Sequence, residues 1–106
     1  MSNFSTKING HRVLVSFSTN RENQAQALTE ISDYIADFLA RQPGFIRSTL
    51  LASDDGEQVV HYAEWTDEAA FVAIGPLARQ HPDFNKLMAY QPKGTGFWEV
   101  RRFEPA

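Results

Sequence analysis

The 106-residue chain contains no cysteine. That removes disulfides, thiolate nucleophiles, iron–sulfur clusters and Cys-ligated zinc together. It fits a reducing compartment, and a cytoplasmic location is the expectation. Long hydrophobic runs are missing too. No apolar stretch approaches the roughly 20 residues that span a bilayer. The segment Met1 to Gly10 is polar, without the apolar core of a signal peptide. It reads as a flexible N-terminal tail, with residues 11–106 as a single domain. A basic excess is also absent: the net charge is −3, and lysine and arginine form no run. A surface that tracks phosphates needs such an excess, so neither nucleic acid nor a membrane is an expected partner. Cofactor signatures are lacking as well. Gly94-Thr95-Gly96 has no third glycine and lies before a strand, unlike a dinucleotide fingerprint. No phosphate-cradling loop and no nucleophile elbow occurs. The scattered residues His11, His61 and His81 lack the spacing of metal ligands. No cofactor and no metal is expected.

What is present is enough apolar residue for a core, 42% hydrophobic and 12% aromatic. Residues His11 to Ser18 alternate Val13, Val15 and Phe17 against Leu14, which predicts a strand. Thr19 and Glu22 have capping-box spacing, so a helix is expected to start there. Leu28, Ile31, Ile35, Phe38 and Leu39 carry it at helical spacing to Arg41, and Pro43-Gly44 ends it. Phe45 to Ser53 predicts a second strand, Asp55-Gly56 a hairpin, and Gln58 to Trp65 a third strand. Thr66 or Asp67 caps a second helix, which Gly75-Pro76 breaks or kinks. Pro82 suits the first turn of a further helical piece with Phe84, Leu87 and Met88. Phe97 to Phe103 reads as a fourth strand, opened by Gly94 and Gly96.

The order strand, helix, strand, strand, helix, strand is the ferredoxin-like split βαβ arrangement of an α+β domain. It predicts one antiparallel sheet with helices on one face. The third strand, however, points Val59, Ala63 and Trp65 one way and Val60 and Tyr62 the other. The fourth sets Phe97 and Phe103 against Trp98 and Val100. Two helices cover only one face, and a wet second face calls for cleaner alternation. A second copy covering that face repairs the conflict, so a homodimer is expected.

His61 and Trp65 lie four apart on one strand and share a face, with small Ala63 leaving a gap between them. An imidazole and an indole around a gap suit a flat aromatic molecule. The indole offers a stacking face and a donor, the imidazole a proton acceptor near neutral pH. The competing reading is structural, with Trp65 a core anchor and His61 a satisfied polar residue. His81, before Pro82, and His11, at a strand edge, read first as exposed. Tyr62, Tyr90 and Tyr34 are possible donors to a phenolic ligand, with Tyr34 expected on the solvent side of its helix. Arg79, Arg101 and Arg102 are candidate partners for a carboxylate or phenolate, with surface charge the default.

The segment Gln42-Pro43-Gly44-Phe45, followed by the hairpin and Val59-Val60-His61-Tyr62-Ala63-Glu64-Trp65-Thr66-Asp67-Glu68-Ala69-Ala70-Phe71, resembles the antibiotic biosynthesis monooxygenase family. The likeness runs from about Arg12 to Phe103 and is closest to the small anthrone and quinol oxygenases of aromatic polyketide pathways. It implies a dimeric α+β barrel with a pocket between sheet and helices in each subunit. It implies a cofactor-independent oxidation by O2 of an anthrone, quinol or related phenolic compound to a quinone. Trp65 matches the family's tryptophan. His61 falls where anthrone oxygenases tend to have asparagine, and Phe71 where they can have tyrosine. Arg79 is the nearest candidate for the family's pocket arginine. The resemblance thus implies His61 and Trp65 as catalytic residues, with Phe71 and Arg79 against the substrate; the reading of the residues themselves adds His81 and Tyr90 as substrate-binding candidates.

Two other functions compete. Haem degradation occurs in the same superfamily, with an asparagine on the first strand and a helical histidine ligand. Here Ser16 and Ser18 stand on that strand, and His81 would be the ligand. The non-enzymatic alternative is a dimeric module for stress response that binds an aromatic metabolite without converting it.

Overall fold

The computed structural model describes residues 10–106. Most of the expected N-terminal tail, residues 1–9, lies outside the described residues. Four strands form one sheet: β1 (His11–Ser18), β2 (Phe45–Ala52), β3 (Gln58–Trp65) and β4 (Lys93–Phe97). Their order is β2-β3-β1-β4, and every neighbouring pair is antiparallel. One long helix, α1 (Gln24–Asp37), joins β1 to β2 through a short 3-10 turn, Leu39–Arg41. Three short helices, α2 (Glu68–Val72), α3 (Ile74–Gln80) and α4 (Phe84–Met88), join β3 to β4. This is the ferredoxin-like α+β fold expected from the element order.

Several boundaries differ from the sequence reading, each for a local reason. The capping box at Thr19 and Glu22 does not form. Thr19 instead donates its hydroxyl to the Gly56 carbonyl at 2.7 Å, tying β1 to the hairpin. Asn20 takes over the turn, its side-chain oxygen accepting from the Glu22 and Asn23 amides at 2.9 Å each. The helix therefore starts at Gln24. At the start of α2 the cap is Asp67, whose carboxylate accepts from the Ala70 amide at 2.8 Å. The break between α2 and α3 falls at Ala73, just before Gly75-Pro76. Pro76 sits in the first turn of α3, where a missing amide hydrogen costs nothing. The fourth strand is Lys93–Phe97 rather than Phe97 to Phe103. The glycines pair with β1 instead of preceding the strand, and residues 98–106 have no regular structure.

Two glycines are required by geometry. Gly44 has φ +89, and a Cβ there would lie 2.5 Å from the Ala70 Cβ. The Pro-Gly-Phe turn thus lets α2 press onto the start of β2. Gly56 has φ +79 at the hairpin tip, against the Arg21 backbone.

The register puts His11, Val13, Val15 and Phe17 of β1 on the same face as Trp65, Ala63, His61 and Val59 of β3. The helices cover this face. Its core divides into two clusters. Phe17, Ala27, Ile31, Val59, Leu87 and Tyr90 form one, and Val13, Ala63, Trp65 and Ile74 the other. The opposite face is mixed. Arg12 is buried there, paired with Glu64 and Glu99 at 3.4 Å each, and Arg47 pairs with Glu64 at 3.3 Å. Leu51 and Phe97 on that face are about half exposed, at 54% and 48%. No helix among the described residues is long and apolar enough to cross a membrane.

Candidate active site

Between the sheet and the helices lies a cavity of about 260 Å³. Val15, Phe17 and His61 form its sheet side. Ile31, Tyr34 and Ile35 of α1 form one wall, and residues of α2 to α4, with Phe71, Gly75 and Leu87 among them, form the other. Val72 and Met88 line it and are also exposed, at 62% and 46%, so they mark its rim. On β4 the residues opposite Val13 and Val15 are Gly96 and Gly94. That edge of the sheet therefore presents no side chain to the helix side.

His61 is the one ionisable group on the sheet side of this cavity. Its neighbours across the strands are Val15 and Leu50, so nothing in register with it is charged. It is 4% exposed, and its Nε2 has no hydrogen-bond partner among the described residues. Burial alone lowers its pKa from 6.5 to about 4. The imidazole is consequently neutral at pH 7, with an open nitrogen. It can take a proton from a bound acid or exchange a hydrogen bond with a bound oxygen.

Of the other residues singled out from sequence, Phe71 lines the cavity. Trp65 is 1% exposed and is not among the lining residues. Its indole meets Phe45 and Phe71 edge-on, with centroids 5.3 and 5.8 Å away. It thus stands behind Phe71, and its Nε1 is buried without a partner among the described residues. Arg79 is exposed on α3, outside the lining. Its guanidinium lies over Gly75: a Cβ there would meet Nη1 at 3.5 Å. His81 also lies outside the lining. Its Nδ1 accepts from the Asp83 amide at 3.1 Å, and its ring packs on Tyr34 and Phe38. Tyr90 is turned into the core, where its hydroxyl donates to Glu30 at 2.7 Å. Burial, with that bond and the charge it meets, pushes its pKa up to about 12. No group of three or more metal-ligating side chains occurs among the described residues.

The cavity's phenol is Tyr34, which does not face solvent as its helix position suggested. It is half-buried, and burial raises its pKa. The sequence did hold a sign of this. Tyr34 lies three residues after Ile31 and four before Phe38, both on the apolar stripe of α1.

A family model described as antibiotic biosynthesis monooxygenase matches residues 10–89. The chain belongs to that family. Among curated relatives of this monooxygenase family, the tetracenomycin-F1 monooxygenase of Streptomyces glaucescens is 36% identical over 84 residues, covering 79% of this chain and 75% of the relative. Solved structures agree on the fold. The monooxygenase from ActVA-Orf6 of Streptomyces coelicolor, in complex with nanaomycin D, superposes with a TM-score of 0.74 at 23% identity, covering 99% of this chain and 100% of that one. SnoaB of Streptomyces nogalater, a cofactor-independent oxygenase, superposes with a TM-score of 0.67 at 26% identity, covering 93% of this chain and 100% of that one, and a point mutant of it with a TM-score of 0.73. The family membership read from Gln42 to Phe71 and the ferredoxin-like fold read from the order of the elements therefore both hold.

Proposed function

We propose that this family member is a homodimeric, cofactor-independent monooxygenase that uses O2 to oxidise a compact anthrone-, quinol- or phenol-type aromatic to a quinone. One observation carries the reading: a neutral imidazole with an unpartnered nitrogen, buried on the sheet side of an apolar cavity. The relatives named as a tetracenomycin-F1 monooxygenase and a cofactor-independent oxygenase support it.

In this reading the substrate lies flat between Phe71 and the α1 wall, and its acidic position meets His61. A lone imidazolium is penalised in this cavity, as the lowered pKa records. An imidazolium paired with the substrate anion is not, because their attraction is strong where water is excluded. His61 therefore accepts the proton as the anion forms. The electron-rich anion passes one electron to O2, and the resulting radical and superoxide combine at carbon. Protonation by the imidazolium gives a hydroperoxide. Loss of water from it leaves the new carbonyl: one oxygen atom enters the product and the other leaves as water. Trp65 acts as a positioning residue by backing Phe71. Arg79, whose guanidinium lies over Gly75 outside the lining, would meet an anionic substituent that projects beyond the apolar body of the substrate.

O2 uptake with an anthrone and a naphthohydroquinone tests this. Wild type is expected to exceed the buffer rate, and His61→Ala to lose about a hundredfold or more of kcat, the usual contribution of a positioned base. Trp65→Phe, which keeps a ring behind Phe71, is expected to lose less. Uptake no faster than buffer with either compound would end the claim.

A further inference from the structure

Among the described residues that line the cavity, only His61 and Tyr34 carry a side-chain nitrogen or oxygen. Every other lining side chain is a hydrocarbon or, in Met88, a thioether. An oxygen on a bound aromatic therefore has two side chains to recognise it, one on the sheet side and one on the helix wall. The Tyr34 hydroxyl makes no hydrogen bond among the described residues, and burial raises its pKa. Its hydroxyl is thus drawn partly out of water without being given a partner, a cost that a ligand oxygen removes.

The ring is also held in place. Phe38, four residues on and just past the end of α1, packs on it with centroids 5.3 Å apart. His81 meets it edge-on at 5.1 Å, and His81 is itself oriented by the Asp83 amide. Little torsional freedom is left to lose when a ligand binds, which favours a specific hydrogen bond. The volume sets a second limit. At about 260 Å³ the cavity is slightly below the roughly 300–1,000 Å³ of sites for drug-sized ligands, so its occupant is a small fused-ring system.

We propose that Tyr34 is a specificity-determining residue, whose hydroxyl donates a hydrogen bond to a second oxygen of the substrate while the first faces His61. The protein then selects small fused-ring aromatics with oxygen functions at both ends over those with one. His81 gains a role by this route: it touches no substrate and acts as a positioning residue for Tyr34. The proposal rests on the reading that the cavity takes oxygenated aromatics.

Binding under argon separates the two claims, because no turnover is needed. The probes are naphthohydroquinone and α-naphthol, which differ by one hydroxyl, with affinity followed by calorimetry. Wild type is expected to prefer naphthohydroquinone about fivefold to tenfold, the size of one net hydrogen bond. Tyr34→Phe is expected to bind both alike, with its α-naphthol affinity and unfolding midpoint unchanged, since the lost hydroxyl had no partner. A wild-type preference that survives in Tyr34→Phe overturns the proposal. So does the absence of any preference in wild type, and so does an equal loss of both ligands in the variant. Binding of neither probe to wild type would overturn the aromatic-cavity reading itself, and the role of Tyr34 with it.

Discussion

His61 ties the acid stability of the protein to its chemistry. Above pH 6.5 the imidazole is neutral whether the chain is folded or not. As pH falls below that value the unfolded chain takes up a proton that the folded chain, with its pKa near 4, does not. Unfolding is therefore favoured progressively from pH 6.5 down to about 4, and below that the loss is complete. At 1.36 kcal/mol per pKa unit the total is about 3 kcal/mol, a large share of the stability of a small domain. Glu30 and Asp55 act lower on the scale. A hydrogen bond from Gln26 holds the first below its ordinary range, and one from the Glu57 amide the second. Urea midpoints measured from pH 7 to 4.5 should fall in wild type and stay nearly flat in His61→Leu. Equal slopes in the two proteins would mean that the imidazole is not buried as described. That His61 shares a face with Trp65 was legible from the period of two along β3. That it lines the cavity while Trp65 stands behind Phe71 was not, because this depends on where α2 crosses the sheet. Tyr90 and Tyr34 changed places for a similar reason. The first found a carboxylate on α1, a contact 60 residues away in sequence that no local pattern announces.

The elements divide into a firm sheet and a looser helical roof. The strands pair in a continuous antiparallel ladder, and β3, near its centre, is bonded on both sides. The roof is three helices of 5, 7 and 5 residues. Each is well short of the roughly 12–15 residues at which an isolated helix becomes marginal in water. Only α2 has a side-chain cap. The roof thus depends on packing against a cavity that leaves part of its inner surface without a neighbour. Hydrogen exchange should show the amides of 77–80 opening at least tenfold faster than those of 59–63. Equal protection would show that sheet and roof open as one unit. The sequence announced this division through Gly75-Pro76 and Pro82, which punctuate the stretch after Trp65. It misplaced β4 because apolar residues from Phe97 to Phe103 outweigh glycines in any strand pattern. The pairing partner of those glycines, β1, is some 80 residues away in the chain.

At the scale of the molecule, the Cα radius of gyration is 15.1 Å, against about 13 Å for a compact domain of this length. The long axis reaches 49 Å. Beyond β4 the chain carries Val100 and Phe103, exposed at 52% and 78%, with no structure of their own. Leu51 and Phe97 leave apolar surface on the outer face of the sheet, the face expected to meet a second copy, and Val100 and Phe103 add more in the segment that follows β4. Light scattering at micromolar concentration should give twice the 12.0 kDa chain mass, and removal of residues 99–106 should weaken that association. A monomeric mass for the full chain would rule the homodimer out.

The same face holds the ion pairs of Arg12 with Glu64 and Glu99, set among leucine, tyrosine and valine. In a dimer joined through this face those charges would be closed off from water. Burying them adds little net affinity, since desolvation offsets much of the attraction. Their effect is on alignment. Two greasy pleated sheets can slide past each other in steps of two residues and still match apolar to apolar. Fixed charges at one end of each sheet make every slipped arrangement leave a guanidinium or carboxylate facing hydrocarbon. The ion pairs would thus act as a latch on the alignment of the two sheets, choosing one relative placement of the subunits among several of similar apolar area.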